Sequence, residues 1–387
     1  MDWLIPGDRE ELVQVLRGPP RPDRPLLATG APAPPPEIRT APDLPPVDVV
    51  STSAMAGILE LRARDLTVTV GAGTRVDDLL GELRDEGTWI PLPDATPAPS
   101  VGGLLAGAWP GAFDESHGDV RRQVLACEMV TWDGRPARWG RGVMKNVAGY
   151  GLTRAVAGAL GRLGVVHRVT LRLWPAPEMD RTAALTAEED ADALELAGRA
   201  TSGDLDARVR PDALTWRGRP GAPPDGGSLE VRLVGAADSV ELRLEKLRGW
   251  ASGHGARVGD AAATPARPSG EGDARPLDVA VAWVAPGRRG FVPTSRALLA
   301  AVGDRLVAAR GFPLAGRLRL AWSQGDGTEG VEDLLRSAGD APVALQRGSA
   351  EALEAVADRR EPAATRLEDR VVEALGGRPR HWLSGYL

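Results

Sequence analysis

The sequence predicts an α+β fold on three observations: apolar residues at helical spacing, separate β-branched runs, and an Asp133-Gly134 pair between two such runs that signals a hairpin. At 387 residues with 43% apolar and 26% charged content, the chain can build two domains with full cores. The boundary is expected near residues 175–181, where Pro175-Ala176-Pro177 closes the first half.

Taken in order, Leu12, Val13, Val15 and Leu16 give residues 10–17 a helical face, and residues 25–28 read as a buried strand leading to Thr29-Gly30. A Pro-rich loop covers 32–46. Residues 47–50 form a strand, 54–61 a short helical turn, and 66–70 a β-branched strand ending at Gly71-Ala72-Gly73. A helix over 76–86 stops at Gly87. Small residues over 94–107 predict a loop with exposed backbone. Strands 124–132 and 135–139 flank the hairpin turn, and a helix-like segment at 152–159 precedes a strand at 165–174. The second half predicts helices at 188–201, Ala237–Ser252, 294–310, 350–357 and 362–375. Its strands are 228–234, 277–284 and 316–322, and a loose Gly/Pro/Ala stretch runs over 252–276.

Composition excludes several functions. A net charge of −6, with Arg interleaved among Asp and Glu, argues against nucleic-acid binding. Cys127 is the single Cys, and His117, His167, His254 and His381 offer no pair at zinc-ligand spacing, so no metal is expected. The start has no basic and apolar leader, and no apolar stretch approaches the ~18 residues of a membrane span. A cytoplasmic protein is the expectation.

Among candidate sites, strand 66–70 followed by Gly71-Ala72-Gly73 superficially matches a dinucleotide fingerprint. The third Gly is replaced by Val76, and Asp77 and Asp78 would repel a pyrophosphate at the helix start. A tight strand-to-helix turn is the stronger reading. Two further Gly-rich stretches, 100–107 and 158–166, let backbone N–H groups approach a ligand, or else form tight turns against a sheet. Ser116-His117 near Asp119 suggests nucleophile and base, against a solvated loop. Arg317-Leu318-Arg319-Leu320 either binds a carboxylate or, the stronger reading, alternates Arg on an exposed sheet face.

The residue bias is strong: of 47 basic residues all but Lys145 and Lys246 are Arg. Within it, residues 143–151 hold the single Asn, Asn146, together with Lys145 and Tyr150. This run, Gly142-Val143-Met144-Lys145-Asn146-Val147-Ala148-Gly149-Tyr150-Gly151-Leu152-Thr153-Arg154, continues through Gly158, Gly161 and Leu163-Gly164-Val165-Val166. It resembles the FAD-binding (E) subunit of glycolate oxidase, in the vanillyl-alcohol oxidase-type, PCMH-type flavoprotein family. Weaker correspondences over residues 1–178 follow in the family's order.

The resemblance implies a PCMH-type FAD-binding domain of two α+β subdomains at 1–178, and a smaller α+β cap at 179–387 for substrate or subunit interaction. It implies non-covalent FAD. Backbone at Thr29, Gly30 and Ala31, and at Val101, Gly102 and Gly103, would meet the pyrophosphate; Gly161, Gly164, Val165 and Val166 would lie along the cofactor, with Gly107 and Gly118 completing the set. The catalytic residues stay unassigned. The implied function is 2-hydroxy-acid oxidation of the glycolate or lactate class to a 2-oxo acid. The implied partners are a homologous catalytic flavoprotein subunit and an iron–sulfur subunit, with any membrane association made through that complex.

Several positions depart from the family pattern. Ala31-Pro32-Ala33-Pro34-Pro35-Pro36 replaces small polar residues, Ala159 stands for Ser, Arg162 for a small residue or Thr, and Gly151 for Asp. The chain's last residues, 376–387, lack the family's Asp-Pro and Asn-Pro-Gly-Arg segments. These favour the alternative of a degenerate, non-catalytic scaffold subunit with weak or no FAD.

Overall fold

The structure is a computed structural model that describes residues 2–18, 26–32, 48–92, 100–108, 110–140, 152–187, 192–205, 208–218, 227–259, 279–323 and 329–347. These belong to two compact units. The first takes the described residues of 2–108 and 118–176, the second those of 110–117 and 177–347. The expected Lys145 turn, residues 33–36 and 93–99, and the helices expected at 350–357 and 362–375 lie outside the described residues.

In the first unit, helix α1 (Arg9–Arg17) starts where the Asp8 carboxylate accepts the Glu11 N–H, while Glu11 reaches back to the Gly7 N–H at 2.8 Å. Its Leu12 and Leu16 are buried against Val50, Val130 and Val165. Strand β1 (Trp3–Leu4), β2 (Leu26–Thr29) and β3 (Asp48–Ser51) form a parallel sheet in the order β1-β3-β2. Residues 54–61 depart from the expected helical turn. Ile58–Arg62 is strand β4, paired antiparallel with β5 (Thr67–Gly71), because the sheet edge supplies its backbone partners.

Helix α2 (Val76–Asp85) buries Val76, Leu79 and Leu83, each such side chain contributing about 1.5–3 kcal/mol. Residues 88–89 make β6. The expected loop over 101–107 is instead helix α3 (Val101–Gly107), since Ser100 caps it and Val101, Leu104 and Leu105 give it an apolar stripe. Strand β7 (Val124–Thr131) turns at Asp133-Gly134 into β8 (Pro136–Gly140); Gly134 has φ +78°. Helix α4 (Leu152–Val156) leads to β9 (Gly164–Arg172), and β10 (Trp174–Pro175) pairs with β6. The five-stranded antiparallel sheet has the order β4-β5-β9-β7-β8. Its core joins Val68, Val70, Leu79, Leu104, Met129 and Val169.

The second unit is built on an eight-stranded antiparallel sheet. Its strands are β11 (Met179–Ala187), β12 (Ala213–Gly218), β13 (Gly227–Gly235), β14 (Ala256–Gly259), β15 (Val279–Val284), β16 (Leu306–Phe312), β17 (Arg317–Ser323) and β18 (Val343–Arg347). They run in the order β14-β11-β13-β12-β16-β17-β15-β18. Helices α5 (Ala193–Ser202), α6 (Ala237–Ser252), α7 (Gly287–Val302) and α8 (Glu329–Ala338) supply Leu194, Leu247, Phe291 and Leu334 to one core with Leu229, Leu318 and Trp322. The helix expected at 294–310 shifts. Pro293 sits inside α7 rather than before it, Gly303 at φ +55° ends the helix, and 306–312 crosses the sheet. Residues 256–259, expected in a loose stretch, form edge strand β14.

Candidate functional site

The ends of β2 and β3 define the site. Both strands are parallel and stop together, Thr29 level with Ser51, and ligands of parallel sheets bind beyond such carboxyl ends. Beyond β2 the chain turns. Thr29 Oγ1 accepts the Ala31 N–H at 3.1 Å, and the Ser51 hydroxyl donates to the Ala31 carbonyl at 2.5 Å. Ser51 also shares a 2.9 Å bond with the Ser53 hydroxyl. This hydroxyl run, Ser51-Thr52-Ser53 after a β-branched strand, escaped the sequence reading although its position was a usable signal.

Gly30 abuts the start of α3. A Cβ on residue 30 would stand 1.9 Å from Ser100 Oγ, so only Gly lets the two segments meet. Helix α3 buries Val101, Leu104 and Leu105, leaving Gly102, Gly103, Ala106 and Gly107 half-buried on its other face. That face carries almost no side chain. At its far end the Gly158 and Leu160 N–H groups donate to the carbonyls of Leu105 and Ala106 at 3.0 and 2.9 Å. Gly161 follows at φ +73°; its carbonyl accepts the Trp132 indole N–H at 2.9 Å, and a Cβ on it would lie 3.9 Å from Ala28 Cβ. The structure thus gathers Thr29, Gly30, Ala31, Val101, Gly102, Gly103 and Gly161 about one locus.

Other candidate positions serve differently. Gly164, at φ +145°, is pressed against the Val130 carbonyl; Val165 packs in the α1 cluster and Val166 against the five-stranded-sheet core. Gly118, at φ +89°, accepts from the Gln123 amide at 3.1 Å and opens the turn 120–123, whose Arg121 reaches Gly158.

The Val101 N–H is used by the Thr74 carbonyl, Gly102 by the Ala72 carbonyl at 2.7 Å, and Gly103 by Ser100 Oγ at 3.2 Å. Gly102 thus offers no free donor, and its missing side chain admits Ala72, which a Cβ there would meet at 3.0 Å; the Gly103 N–H is likewise committed. Among the described residues, the Gly30 and Gly161 N–H groups meet no acceptor.

The Gly71-Ala72-Gly73 turn has a different purpose. Cβ atoms there would fall 2.2 Å from the Met55 carbonyl and 2.0 Å from the Thr52 carbonyl, so these glycines admit the neighbouring 52–56 segment. Ser116 and His117, weighed above as nucleophile and base against a solvated loop, share a 2.8 Å Oγ–Nδ1 bond, while Ser116 also donates to the Asp212 carbonyl. Cys127 is buried. Desolvation, reinforced by Glu128, pushes its thiol up to about 12. Burial holds His167 below the usual imidazole range. Among the described residues, no cluster of His, Cys, Asp and Glu could hold a metal ion, and no helix is long and apolar enough to cross a membrane.

Residues 4–140 match the family model described as FAD binding domain. The chain is 31% identical over 206 residues to glycolate oxidase subunit GlcD of Bacillus subtilis, covering 50% of this chain and 43% of that protein. It is 36% identical over 131 residues to a probable mitochondrial D-lactate dehydrogenase of Danio rerio, covering 33% and 26%. It is 32% identical over 123 residues to glycolate oxidase subunit GlcE of Escherichia coli, covering 31% and 35%. The chain thus spans less than half the length of these relatives. In fold it resembles alkyldihydroxyacetonephosphate synthase, with a TM-score of 0.65 and 13% identity over 98% of this chain and 75% of that one.

Proposed function

We propose, from the premise that the chain carries an FAD binding domain at residues 4–140, that it is the FAD-binding subunit of a glycolate oxidase-like complex. In this reading it oxidises a 2-hydroxy acid of the glycolate or lactate class to the 2-oxo acid. The observation that carries it is the close approach of Gly30 to Ser100 at the start of α3, whose face at 102, 103, 106 and 107 bears only the Ala106 methyl, with Gly161 beside Ala28 of the neighbouring strand. Similarity to glycolate oxidase subunits and D-lactate dehydrogenases supports the substrate class.

The residues fit the cofactor. The Gly30 and Gly161 N–H groups and the Ser53 hydroxyl would hold the pyrophosphate, and the 102–107 face of α3 would let the rest lie flat against backbone. FAD, when bound, supplies the hydride acceptor. The protein's share is orientation and water exclusion: Leu160 and Gly161 are fixed by bonds to Ala106 and Trp132, so the cradle is preorganised rather than shaped by the ligand. The attachment we propose is non-covalent, the location cytoplasmic, and the partners are a homologous catalytic flavoprotein subunit and an iron–sulfur subunit. The second unit is then the cap.

A second reading, a scaffold subunit without turnover, draws on the same donor accounting. The Ala31 N–H is committed to Thr29, Pro32 has none, and the Gly102 N–H is committed to Ala72. The visible spectrum of the purified chain separates the readings first. Yellow protein whose colour is released by acid precipitation and bleaches anaerobically with glycolate or D-lactate supports the enzyme; yellow protein that no 2-hydroxy acid bleaches supports the scaffold. Affinity capture with a larger flavoprotein and an iron–sulfur protein tests the complex, and a strictly solitary chain ends it.

A further inference from the structure

The turn that carries Gly161 is built on an unfavourable backbone. The Arg162 N–H donates to the Ala159 carbonyl at 3.0 Å and closes it. Its two central residues, Leu160 at φ +51° and Gly161 at φ +73°, both lie in the left-handed region, the pattern of a type I′ turn. Glycine adopts that region freely and Asn tolerates it, but a leucine there crowds its own backbone. Residue 160 resists the turn it occupies, and such a conformation persists only where its surroundings over-determine it.

Bonds from other elements do so. The Leu160 N–H donates to the Ala106 carbonyl of α3 at 2.9 Å, and the Trp132 indole N–H donates to the Gly161 carbonyl at 2.9 Å. That carbonyl also accepts the Gly164 N–H at 3.2 Å, a local bond three residues along. Trp132 itself is fixed. It follows Thr131, the last residue of β7, whose register partner is Gly164, and the hairpin beyond it is closed by the Gly134 N–H on the Thr131 carbonyl at 2.8 Å. Its ring packs against the cluster of Leu12, Leu16, Val50, Val130 and Val165. One side chain therefore joins the α1 core to the Gly161 turn through a single directed bond. Among the described residues outside its chain neighbours, a Cβ on residue 161 would find only Ala28 Cβ within 4 Å, at 3.9 Å, so the turn presents bare backbone beside open space.

We propose that Trp132 is a positioning residue for FAD: its indole N–H holds the strained turn in the one orientation that points the Gly161 N–H at the cofactor. The proposal rests on the reading that Gly161 borders the cofactor. The test is calorimetric titration of the full chain, stripped of flavin, with FAD at a temperature well below the Tm. Trp132→Phe keeps an aromatic ring and loses the donor, and FAD binding should weaken about tenfold, the upper end of what one hydrogen bond contributes. Adding Leu160→Asn to that variant places a residue suited to the left-handed region and should recover most of the affinity, which a simple loss of packing would not do. Trp139→Phe, at a partly buried tryptophan packed on the five-stranded-sheet core, is the control and should leave FAD affinity unchanged. Where Trp132→Phe fails to fold, the benzothiophene isostere of tryptophan at position 132 decides, because it keeps the bicyclic shape and replaces only the N–H by sulfur; weaker FAD binding supports the proposal.

Unaltered FAD affinity in Trp132→Phe or in the isostere, an equal loss in Trp139→Phe, or no recovery with Leu160→Asn would each overturn it and leave the flavin reading standing. A native chain that takes up no FAD ends both.

Discussion

Gly30 and Ser100 touch so closely that a single added methyl at residue 30 would lie 1.9 Å from the Ser100 hydroxyl oxygen and 2.5 Å from its Cβ. Seventy positions apart in sequence, they join the turn after β2 to the cap of α3. This contact sets how near the two segments of the proposed cradle come.

Gly30→Ala should force them apart, costing about 1–3 kcal/mol as overpacking and lowering FAD content. Combining it with Ser100→Gly removes both opposing atoms and should recover much of the loss, although the cap itself is worth about 1 kcal/mol. Thermal unfolding and the flavin-to-protein absorbance ratio of the four proteins check this; additive losses would show that the contact is not the cause.

Cys127 should be inert in the folded protein. Its thiol, raised to about 12 by burial, holds almost no thiolate near neutrality. Iodoacetamide should label it only after denaturant is added, and rapid labelling of native protein would contradict the packing of β7.

His167 gives a stability change with a definite sign. Its imidazole is held below the unfolded value of about 6.5, chiefly by desolvation, so the unfolded chain binds more protons as pH falls. The contribution is fully present above about pH 6.5 and is lost as pH drops from there toward the depressed folded value. A series of Tm measurements from pH 8 to 5 should fall in that window for the native chain and stay flatter for His167→Gln.

Asp212 ties the second unit together. Its carboxylate accepts the Val234 N–H at 2.9 Å and Arg243 at 2.6 Å, while Arg243 also donates to the Val209 and Val234 carbonyls. Asp212→Ala should destabilise by about 3 kcal/mol, because a largely buried guanidinium loses its anion. Urea denaturation measures it; a change below about 0.5 kcal/mol would mean that the carbonyls alone satisfy Arg243.

Elements with a strong local signal were legible. Helix α6 matches its expected span, and the Asp133-Gly134 turn sits where its φ requirement puts it. Strand β11 escaped notice because Met179-Asp180-Arg181-Thr182-Ala183-Ala184-Leu185 has little β-branched content; pairing on both sides, with β13 and β14, overrides its propensity. The same override turned 58–62 into a strand and 306–312 away from a helix. For the site, the Gly-rich stretches 100–107 and 158–166 stood out but read equally as tight turns, and the family resemblance is what pointed to 30, 102, 103 and 161; at Gly30 the structure shows an approach to Ser100 that only glycine permits.

The sequence by itself determined the α+β class, the flavoprotein resemblance and the positions where side chains are dispensed with, because periodicity and glycine placement are local properties of the chain. Tertiary structure alone decided which of those glycines gather near the ends of β2 and β3, as Gly30 and Gly161 do, and which merely admit neighbouring residues, as Gly71, Gly73 and Gly102 do. It also decided that Arg319 is buried opposite Arg310 while Arg317 stays in solvent. The physical reason is that strand register and hydrogen-bond commitment depend on partners tens of residues away, and no local pattern specifies which partner a donor or a strand will find.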